Sequence, residues 1–167
     1  RQGFKAFQAG DYDILVMLDV DGTYDPSEIP ILLKSLKTHD LVIGDRLNGE
    51  IYEGAMSKMN WIGNHLLTWF AVSLYGVRIN DLCTGYWAFT RKAIDRLQLN
   101  SMRFEIEAEM YTSAVRRKLS IGQVPVSYKP RKGFAKLGSV KDGTSIARKL
   151  IIRRIFPVPI EEINGDS

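Results

Sequence analysis

The stretch Ile14-Leu15-Val16-Met17-Leu18-Asp19-Val20-Asp21-Gly22-Thr23-Tyr24-Asp25-Pro26 decides the fold class of this 167-residue chain. Its five leading apolar residues contain no breaker, which is typical of a fully buried strand inside a parallel sheet. Asp19 and Asp21 follow this strand directly. Because residues two apart in an extended chain project to the same side, both carboxylates can face one ligand. The stretch therefore predicts a buried strand that ends in a pair of carboxylates.

A carboxylate pair at the end of a strand indicates a metal site. Carboxylate oxygens suit a hard cation such as Mg²⁺ or Mn²⁺, which in proteins bridges acidic side chains and substrate phosphates. Ligands of open α/β sheets bind outside the carboxyl ends of the strands, where Asp19 and Asp21 fall. The alternative is a turn that happens to hold two acidic residues, since short motifs also match by chance. The buried strand in front of the pair favours the metal.

The composition indicates one globular domain with a basic C-terminal third. Hydrophobic residues make up 45% of the chain and charged residues 25%, enough apolar content for one substantial core. Cys83 is the only cysteine, so no disulfide forms within the chain. No apolar run approaches the roughly 20 residues of a membrane-spanning helix. Between residues 129 and 154 basic side chains far outnumber the single acid Asp142, so this region is either a solvated face or one that contacts phosphates or an anionic membrane.

Helical and extended patterns alternate along the chain, and this alternation predicts an α/β fold with a mixed sheet. We expect strands near residues 14–18, 41–43, 86–90 and 123–128, the last demoted to a sheet edge by Pro125. The helices are expected near residues 1–10, 25–37, 56–75, 91–97, 105–118 and 144–155. We divide the chain into a main portion, residues 1–143, and an amphipathic basic helix and tail, residues 144–167.

Two of the predicted helices have a second interpretation at a membrane surface. In the helix at 56–75 an apolar stripe predicts packing on the core, but Trp61 and Trp69 would also suit a bilayer interface. The helix at 144–155 interleaves four basic residues with isoleucine and leucine, and it either docks on the domain or lies on an anionic bilayer. The basic residues concerned are Arg148, Lys149, Arg153 and Arg154.

Five motifs in order resemble one enzyme family. They are the D-x-D segment 18–26, Gly44-Asp45-Arg46, Asp81-Leu82-Cys83-Thr84-Gly85-Tyr86, the acidic helix start 104–110, and Val124-Pro125-Val126 followed by the loop 131–137. Together they resemble the inverting GT-A glycosyltransferases of family 2, in the branch typified by dolichol-phosphate mannose synthase. Ala135 departs from the serine or threonine usual in that loop. The family's N-terminal strands, which hold the nucleoside, are not represented in the sequence, so we expect the chain to be the later part of a longer protein.

The resemblance implies transfer of a sugar, with inversion, from a nucleotide diphosphate sugar to a polyprenyl or dolichyl phosphate. It implies a peripheral location on the cytoplasmic side of a membrane, an anionic membrane surface as partner, and no nucleic acid. The implied residues are Asp19 and Asp21 for Mg²⁺ or Mn²⁺, Arg46, Arg131 and Lys136 for donor or acceptor phosphates, and Asp81 as the carboxylate near the acceptor. Asp81 would act as base if the acceptor were a hydroxyl. The alternative for Asp81 is a loop-capping residue without a role in the reaction. We interpret Glu105, Glu107 and Glu109 as the acidic first turn of a helix and not as a second site.

Two other functions remain open at the level of sequence. Asp19-Val20-Asp21-Gly22-Thr23 also matches the nucleophile loop of haloacid dehalogenase-type phosphatases, with Asp19 as nucleophile. The later acidic motif of that family would fall too early in this chain, which argues against a phosphatase. The third possibility is a non-catalytic fragment whose basic tail binds anionic lipid.

Overall fold

The structure is a computed structural model that describes residues 2–99, 106–132 and 139–157, with the side chains of 2 and 139–142 left out. Lys136 and Glu105, which the sequence singled out, lie outside the described residues. The strands are β1 (Ile14–Met17), β2 (Leu41–Asp45), β3 (Trp87–Thr90) and β4 (Ile121–Pro125). The helices are α1 (Gln2–Ala9), α2 (Ile29–Leu36), α3 (Lys58–Tyr75), α4 (Arg91–Arg96), α5 (Ile106–Arg116) and α6 (Ser139–Ile155), with a 3₁₀ turn at Pro26–Glu28 before α2.

The four described strands form one mixed sheet in the order β1-β3-β2-β4. β2 runs parallel to β4, with Val42 opposite Gly122, and antiparallel to β3, with Val42 opposite Ala88. All five residues of β2 are buried, which makes it the centre of the sheet. The predicted α/β class with a mixed sheet is confirmed, as is the edge position of the strand that contains Pro125.

β1 is less buried than its sequence predicts, and its one neighbour in the described sheet is antiparallel. It pairs antiparallel with β3, forms an edge of the described sheet, and leaves Ile14 46% exposed. Its apolar run is explained by coverage on both faces, since Leu15 and Met17 pack against one core cluster and Val16 against the other. An uninterrupted apolar run reports that both faces are covered, but it carries no information about the direction of the neighbouring strand.

Two core clusters cover the two faces of the sheet. Leu41 and Ile43 of β2 point to the face that carries α3, α5 and α6, whereas Val42 points to the face that carries α2. This alternation is the period-2 pattern of a strand buried on both sides. The sheet therefore holds the ends of β1 and β2 in fixed positions, and the loops that follow these strands form the site described below.

The first half of α3 is exposed, which corrects the prediction that its whole apolar stripe packs on the core. Met59, Ile62, Leu66 and Trp69 are 70%, 51%, 60% and 68% exposed. Only the last turns, including Phe70 and Leu74, pack against the core. The spacing is that of an amphipathic helix, but spacing alone does not tell which partner covers an apolar face. Ser57 caps the start of this helix, accepting a hydrogen bond from the Asn60 N–H at 3.2 Å.

α6 begins at Ser139, five residues before the predicted start and across the predicted boundary at 143/144. Leu150 is fully buried in the core cluster on this face of the sheet, and its carbonyl accepts a hydrogen bond from the Tyr75 hydroxyl at 2.8 Å. These contacts attach α6 to the end of α3. None of the helices within the described ranges is long and apolar enough to cross a bilayer. The division of the chain at 143/144 stays a prediction.

Candidate active site

The loop after β1 is held in a tight turn around Asp21. The Asp21 carboxylate accepts hydrogen bonds from the backbone N–H of Thr23 at 3.1 Å and from its hydroxyl at 2.6 Å. Gly22 adopts a φ of +82°, which glycine reaches without steric cost. Although burial raises it, the pKa of Asp21 lies below its usual value because the Thr23 hydrogen bonds and the charge of Arg131 favour the carboxylate. Asp21 is therefore an anion in a defined orientation.

The basic segment 129–132 lies along this loop. The Arg131 Nε is 2.8 Å from the Asp21 carboxylate, and the Lys129 ammonium is 2.7 Å from the Asp25 carboxylate. Two backbone hydrogen bonds join the same segments, from the Lys129 N–H to the Thr23 carbonyl and from the Lys132 N–H to the Asp21 carbonyl. The structure thus brings the two predicted site residues Asp21 and Arg131 into direct contact, although 110 positions separate them in the sequence.

Asp19 lies directly against the loop that follows residue 81. A Cβ atom at Gly85 would overlap the Asp19 carboxylate, so only glycine permits this approach. Burial raises the pKa of Asp19, and the neighbouring charge of Asp21 raises it further, against the opposing charges of Arg131 and Arg46. A bound cation would favour the ionised form of Asp19, which burial and the charge of Asp21 disfavour.

Arg46 and Asp81, which the sequence assigned separate roles, are bonded to each other. The Arg46 backbone N–H and Nε donate to one oxygen of Asp81 at 3.1 and 2.7 Å, and Nη2 donates to the other at 2.8 Å. The side chains are only 7% and 0% exposed. The guanidinium also lies over the Tyr128 ring, 5.1 Å from its centroid. Both oxygens of Asp81 are therefore engaged, and this pair fixes the end of β2 to the loop at 81–85.

Tyr24 connects the aspartate loop to the same loop at 81–85. Its buried hydroxyl accepts a hydrogen bond from the Gly85 N–H at 2.7 Å and lies 3.3 Å from the Thr84 hydroxyl. Burial raises the pKa of Tyr24 strongly, so the phenol stays neutral. Asp45 adds a further connection by accepting hydrogen bonds from the side-chain amides of Asn48 and Asn80 at 2.8 and 2.9 Å.

Glu107 lies in the acidic first turn of α5, as the sequence predicts, and its carboxyl is also coupled electrostatically to the aspartate loop. Burial, together with the negative charge of Asp19, raises the pKa of Glu107 to about 7, against the opposing charge of Arg46. This carboxyl is therefore within electrostatic reach of the aspartate loop. The sequence contains a weak signal, the run of alternating glutamates at 105–109, but an acidic first turn explains that run equally well. Cys83 is also close, and burial together with the charge of Asp81 raises the pKa of its thiol to about 12, so it is not a thiolate.

The donor set around Asp19 fits a divalent cation that is shared with a ligand. Within the described ranges, no three histidine, cysteine or acidic side chains group as a complete metal site. Asp19 and Asp21 nonetheless provide two carboxylate side chains, and burial together with the charge of Asp21 raises the pKa of Asp19. Mg²⁺ and Mn²⁺ are commonly held by one or two carboxylates, with waters and substrate phosphates completing the shell. The residues present therefore fit such an ion.

The chain is similar to curated enzymes that act on sugars. No protein-family model matches it. It is 35% identical over 150 residues to the low-salt glycan biosynthesis hexosyltransferase Agl6 of Haloferax volcanii, which covers 88% of this chain and 36% of that protein. It is 30% identical over 158 residues to the undecaprenyl-phosphate mannosyltransferase of Micrococcus luteus, covering 90% and 61%. The chain thus spans only part of the length of these relatives.

A solved structure has a similar fold. Glucosyl-3-phosphoglycerate synthase from Mycobacterium tuberculosis, in complex with Mn²⁺, UDP-glucose and phosphoglyceric acid, superposes with a TM-score of 0.66 at 18% identity. The match covers 93% of this chain and 54% of that one. At this identity the likeness is one of fold.

We expect Arg46→Met to lower the free energy of unfolding by about 3–5 kcal/mol, because it leaves Asp81 as a buried, unpaired charge. Urea denaturation measures this loss. The control is Lys92→Met, which removes an ion pair of the same 2.7 Å length to Asp40 from a lysine that is 63% exposed. That variant should lose under about 1 kcal/mol. If both variants lose the same free energy of unfolding, the burial of the Arg46–Asp81 pair does not determine the cost of breaking it, and the prediction is wrong.

Glu107→Gln should change how stability depends on pH. Below pH 4.5 the carboxyl is protonated in both the folded and unfolded states, so wild type carries no penalty from it. Between 4.5 and about 7 only the unfolded state ionises, and wild type loses about 3 kcal/mol of stability that the variant retains. Unfolding measured with a chelator at pH 4 and pH 8 tests this, with the exposed Glu53→Gln as control. A variant whose advantage over wild type does not grow with pH contradicts the assignment.

Proposed function

Since the chain belongs to the GT-A glycosyltransferases of the polyprenyl-phosphate branch, we propose that its parent protein transfers a sugar from a nucleotide diphosphate sugar to a polyprenyl or dolichyl phosphate. The observation that carries this proposal is the contact of Asp21 with Arg131, beside Asp19 at the end of β1. It combines, in one place, carboxylates for a cation and a guanidinium for phosphate. The relatives' names, a hexosyltransferase and an undecaprenyl-phosphate mannosyltransferase, support the same class of reaction.

We assign the donor diphosphate to the edge formed by Asp19 and Asp21. A Mg²⁺ or Mn²⁺ ion held there would act as a Lewis acid for the charge that develops on the leaving nucleoside diphosphate. The Mn²⁺ in the structurally similar synthase supports this choice of ion. Asp21 is oriented for the task by Thr23, and Arg131 adds a positive charge next to it. Lys136 is the second basic residue proposed for phosphate.

We propose a single displacement, which inverts the anomeric carbon. An oxygen of the acceptor phosphate forms the new bond to this carbon, while the bond to the diphosphate oxygen breaks and the nucleoside diphosphate departs. The acceptor oxygen is already ionised, so no proton has to be removed. This supports a positioning role for Asp81, whose two oxygens hold Arg46, over the role of base. Arg46 in turn supports the loop against which Asp19 lies. A direct contact between Arg46 and a phosphate of the donor or acceptor stays a prediction.

We further propose that the protein lies peripherally on a bilayer, because its acceptor is a lipid. The exposed first half of α3 presents Ile62, Leu66 and Trp69 to solvent, and an exposed stripe of this kind marks an interaction surface. α6 contributes Ile155 and Phe156, which are 62% and 72% exposed. Two of the four basic residues expected to face the membrane are largely buried: the Lys149 and Arg153 side chains are 15% and 16% exposed and pair with Glu109. The cytoplasmic side stays a prediction.

The two alternative functions receive no support. The relatives' names indicate transferases, and none of them indicates a phosphatase or a lipid-binding module without activity. Asp19 lies against Gly85, and burial together with the charge of Asp21 raises its pKa. The proposed transferase accounts for this pair of aspartates as ligands of one metal ion.

We expect Asp19→Asn and Asp21→Asn in the full-length protein to lower turnover by about a hundredfold or more, since each removes charge stabilisation worth several kcal/mol. Transfer of radiolabelled sugar to polyprenyl phosphate measures this, with and without chelator, in added Mg²⁺ or Mn²⁺. Asp95→Asn is the control, because Asp95 is a surface residue of α4 that pairs only locally with Arg91 among the described residues. Near wild-type turnover of either variant contradicts the metal assignment.

We expect the double variant Leu66→Ala and Trp69→Ala to bind anionic vesicles about tenfold more weakly or worse, because burying each of these side chains is worth more than about 1 kcal/mol. Vesicle flotation at low ionic strength measures binding. Tyr12→Ala with Ile31→Ala is the matched control, since it also removes one exposed aromatic and one exposed aliphatic side chain, from other parts of the surface. Unchanged binding of the α3 variant argues against α3 as the membrane face.

A further inference from the structure

A second basic site lies between α5 and α6, apart from the aspartate loop. It is an open cleft of about 300 Å³, counted with the solvent at its mouth, and is lined by Glu109, Thr112, Ser113, Arg116, Arg117 and Arg153. Glu107 and Glu109 are two residues apart on α5, so their side chains diverge by roughly 200° around the helix. The Glu107 carboxyl is coupled electrostatically to Asp19, whereas the Glu109 carboxylate pairs with Lys149 and Arg153 of α6.

The cleft carries more positive charge than its acid balances. Glu109 is 1% exposed and is the only acidic side chain in the described lining. It already pairs with Arg153 and, at 3.7 Å, with the Lys149 ammonium. Arg116 and Arg117 also line the cleft, so three arginines share its described lining with one carboxylate. Like charges that share a cleft repel each other, and a bound anion relieves that repulsion.

One guanidinium group in the cleft has a buried donor that lacks an acceptor. The Arg153 Nε is buried and has no hydrogen-bond partner among the described residues. A desolvated guanidinium donor without an acceptor is costly, and a bound acceptor removes that cost.

We propose that this cleft binds the phosphate group of an anionic ligand, with Arg116, Arg117 and the Nε of Arg153 as donors. Guanidinium groups match phosphate in geometry and charge, and the Thr112 and Ser113 hydroxyls lie beside them. A phosphate reaches the cleft either as a phospholipid headgroup or as a free phosphate compound. Phe156 favours the headgroup, because it lies one turn beyond Arg153 on the same face of the chain's C-terminal helix and is 72% exposed. The site is independent of the proposed transfer reaction.

The test uses a double variant of the full-length protein that combines Arg116→Gln and Arg117→Gln. This cleft variant is compared with wild type. The matched control is Lys34→Gln with Lys37→Gln, which removes two charges from the exposed side of α2 on the opposite face of the sheet. The first arm measures thermal unfolding in inorganic phosphate at constant ionic strength. The second measures flotation with phosphatidylglycerol vesicles against phosphatidylcholine vesicles. The single variants replace the double variant if circular dichroism shows that it does not fold.

We expect phosphate to raise the melting temperature of wild type and of the control saturably, by about 3 °C, and to leave the cleft variant unchanged. A free phosphate ligand gives this result with unaltered vesicle binding. A headgroup ligand gives a severalfold loss of phosphatidylglycerol binding in the cleft variant alone. If the cleft variant responds like wild type in both arms, or if the control loses the response equally, the cleft holds only water and the proposal is wrong.

Discussion

The buried ion pair between Arg46 and Asp81 is the interaction on which the candidate site depends. Arg46 follows the central strand β2, and three hydrogen bonds attach it to the first residue of the loop at 81–85. That loop places Gly85 against the Asp19 carboxylate, and the Gly85 N–H donates a hydrogen bond to the Tyr24 hydroxyl. The aspartate loop is therefore supported from beneath by a charge pair that water does not reach. A buried pair is a poor source of net stability, but its strict geometry suits it to positioning.

The helix α5 joins this site to the C-terminal helix. Glu107 on one face lies within electrostatic reach of Asp19, whereas Glu109 on the other binds Lys149 and Arg153 of α6. Glu107 and Glu109 therefore have different environments although they are two residues apart. The pKa of Glu107 is raised to about 7, whereas Glu109 pairs with two cations. This division also explains why α6 turns Lys149 and Arg153 inward and leaves Arg148 and Arg154 exposed.

Exposed apolar surface and buried charge coexist on the same side of this protein. α3 leaves Leu66 and Trp69 in solvent, while α6 is attached to the end of α3 through the Tyr75 hydroxyl and buries Leu150. The function proposed above would place this surface on a bilayer, and one relative is named an undecaprenyl-phosphate mannosyltransferase. Contact with a bilayer would offset the cost of exposing these side chains in water.

The sequence by itself determined the α/β class, the mixed sheet, most helices to within a few residues, and the D-x-D segment, because periodicity, caps and breakers are local properties. It also brought Asp21 and Arg131 into one hypothesis through family motifs. Only the tertiary structure decided that β1 pairs antiparallel with β3, that Arg46 and Asp81 bind each other, that the apolar stripe of α3 is uncovered as far as Trp69 and that Glu107 is electrostatically coupled to Asp19. Each of these four features depends on which distant segment of the chain packs against a residue. A local sequence pattern shows that a face is apolar or acidic, but it does not show which segment covers that face.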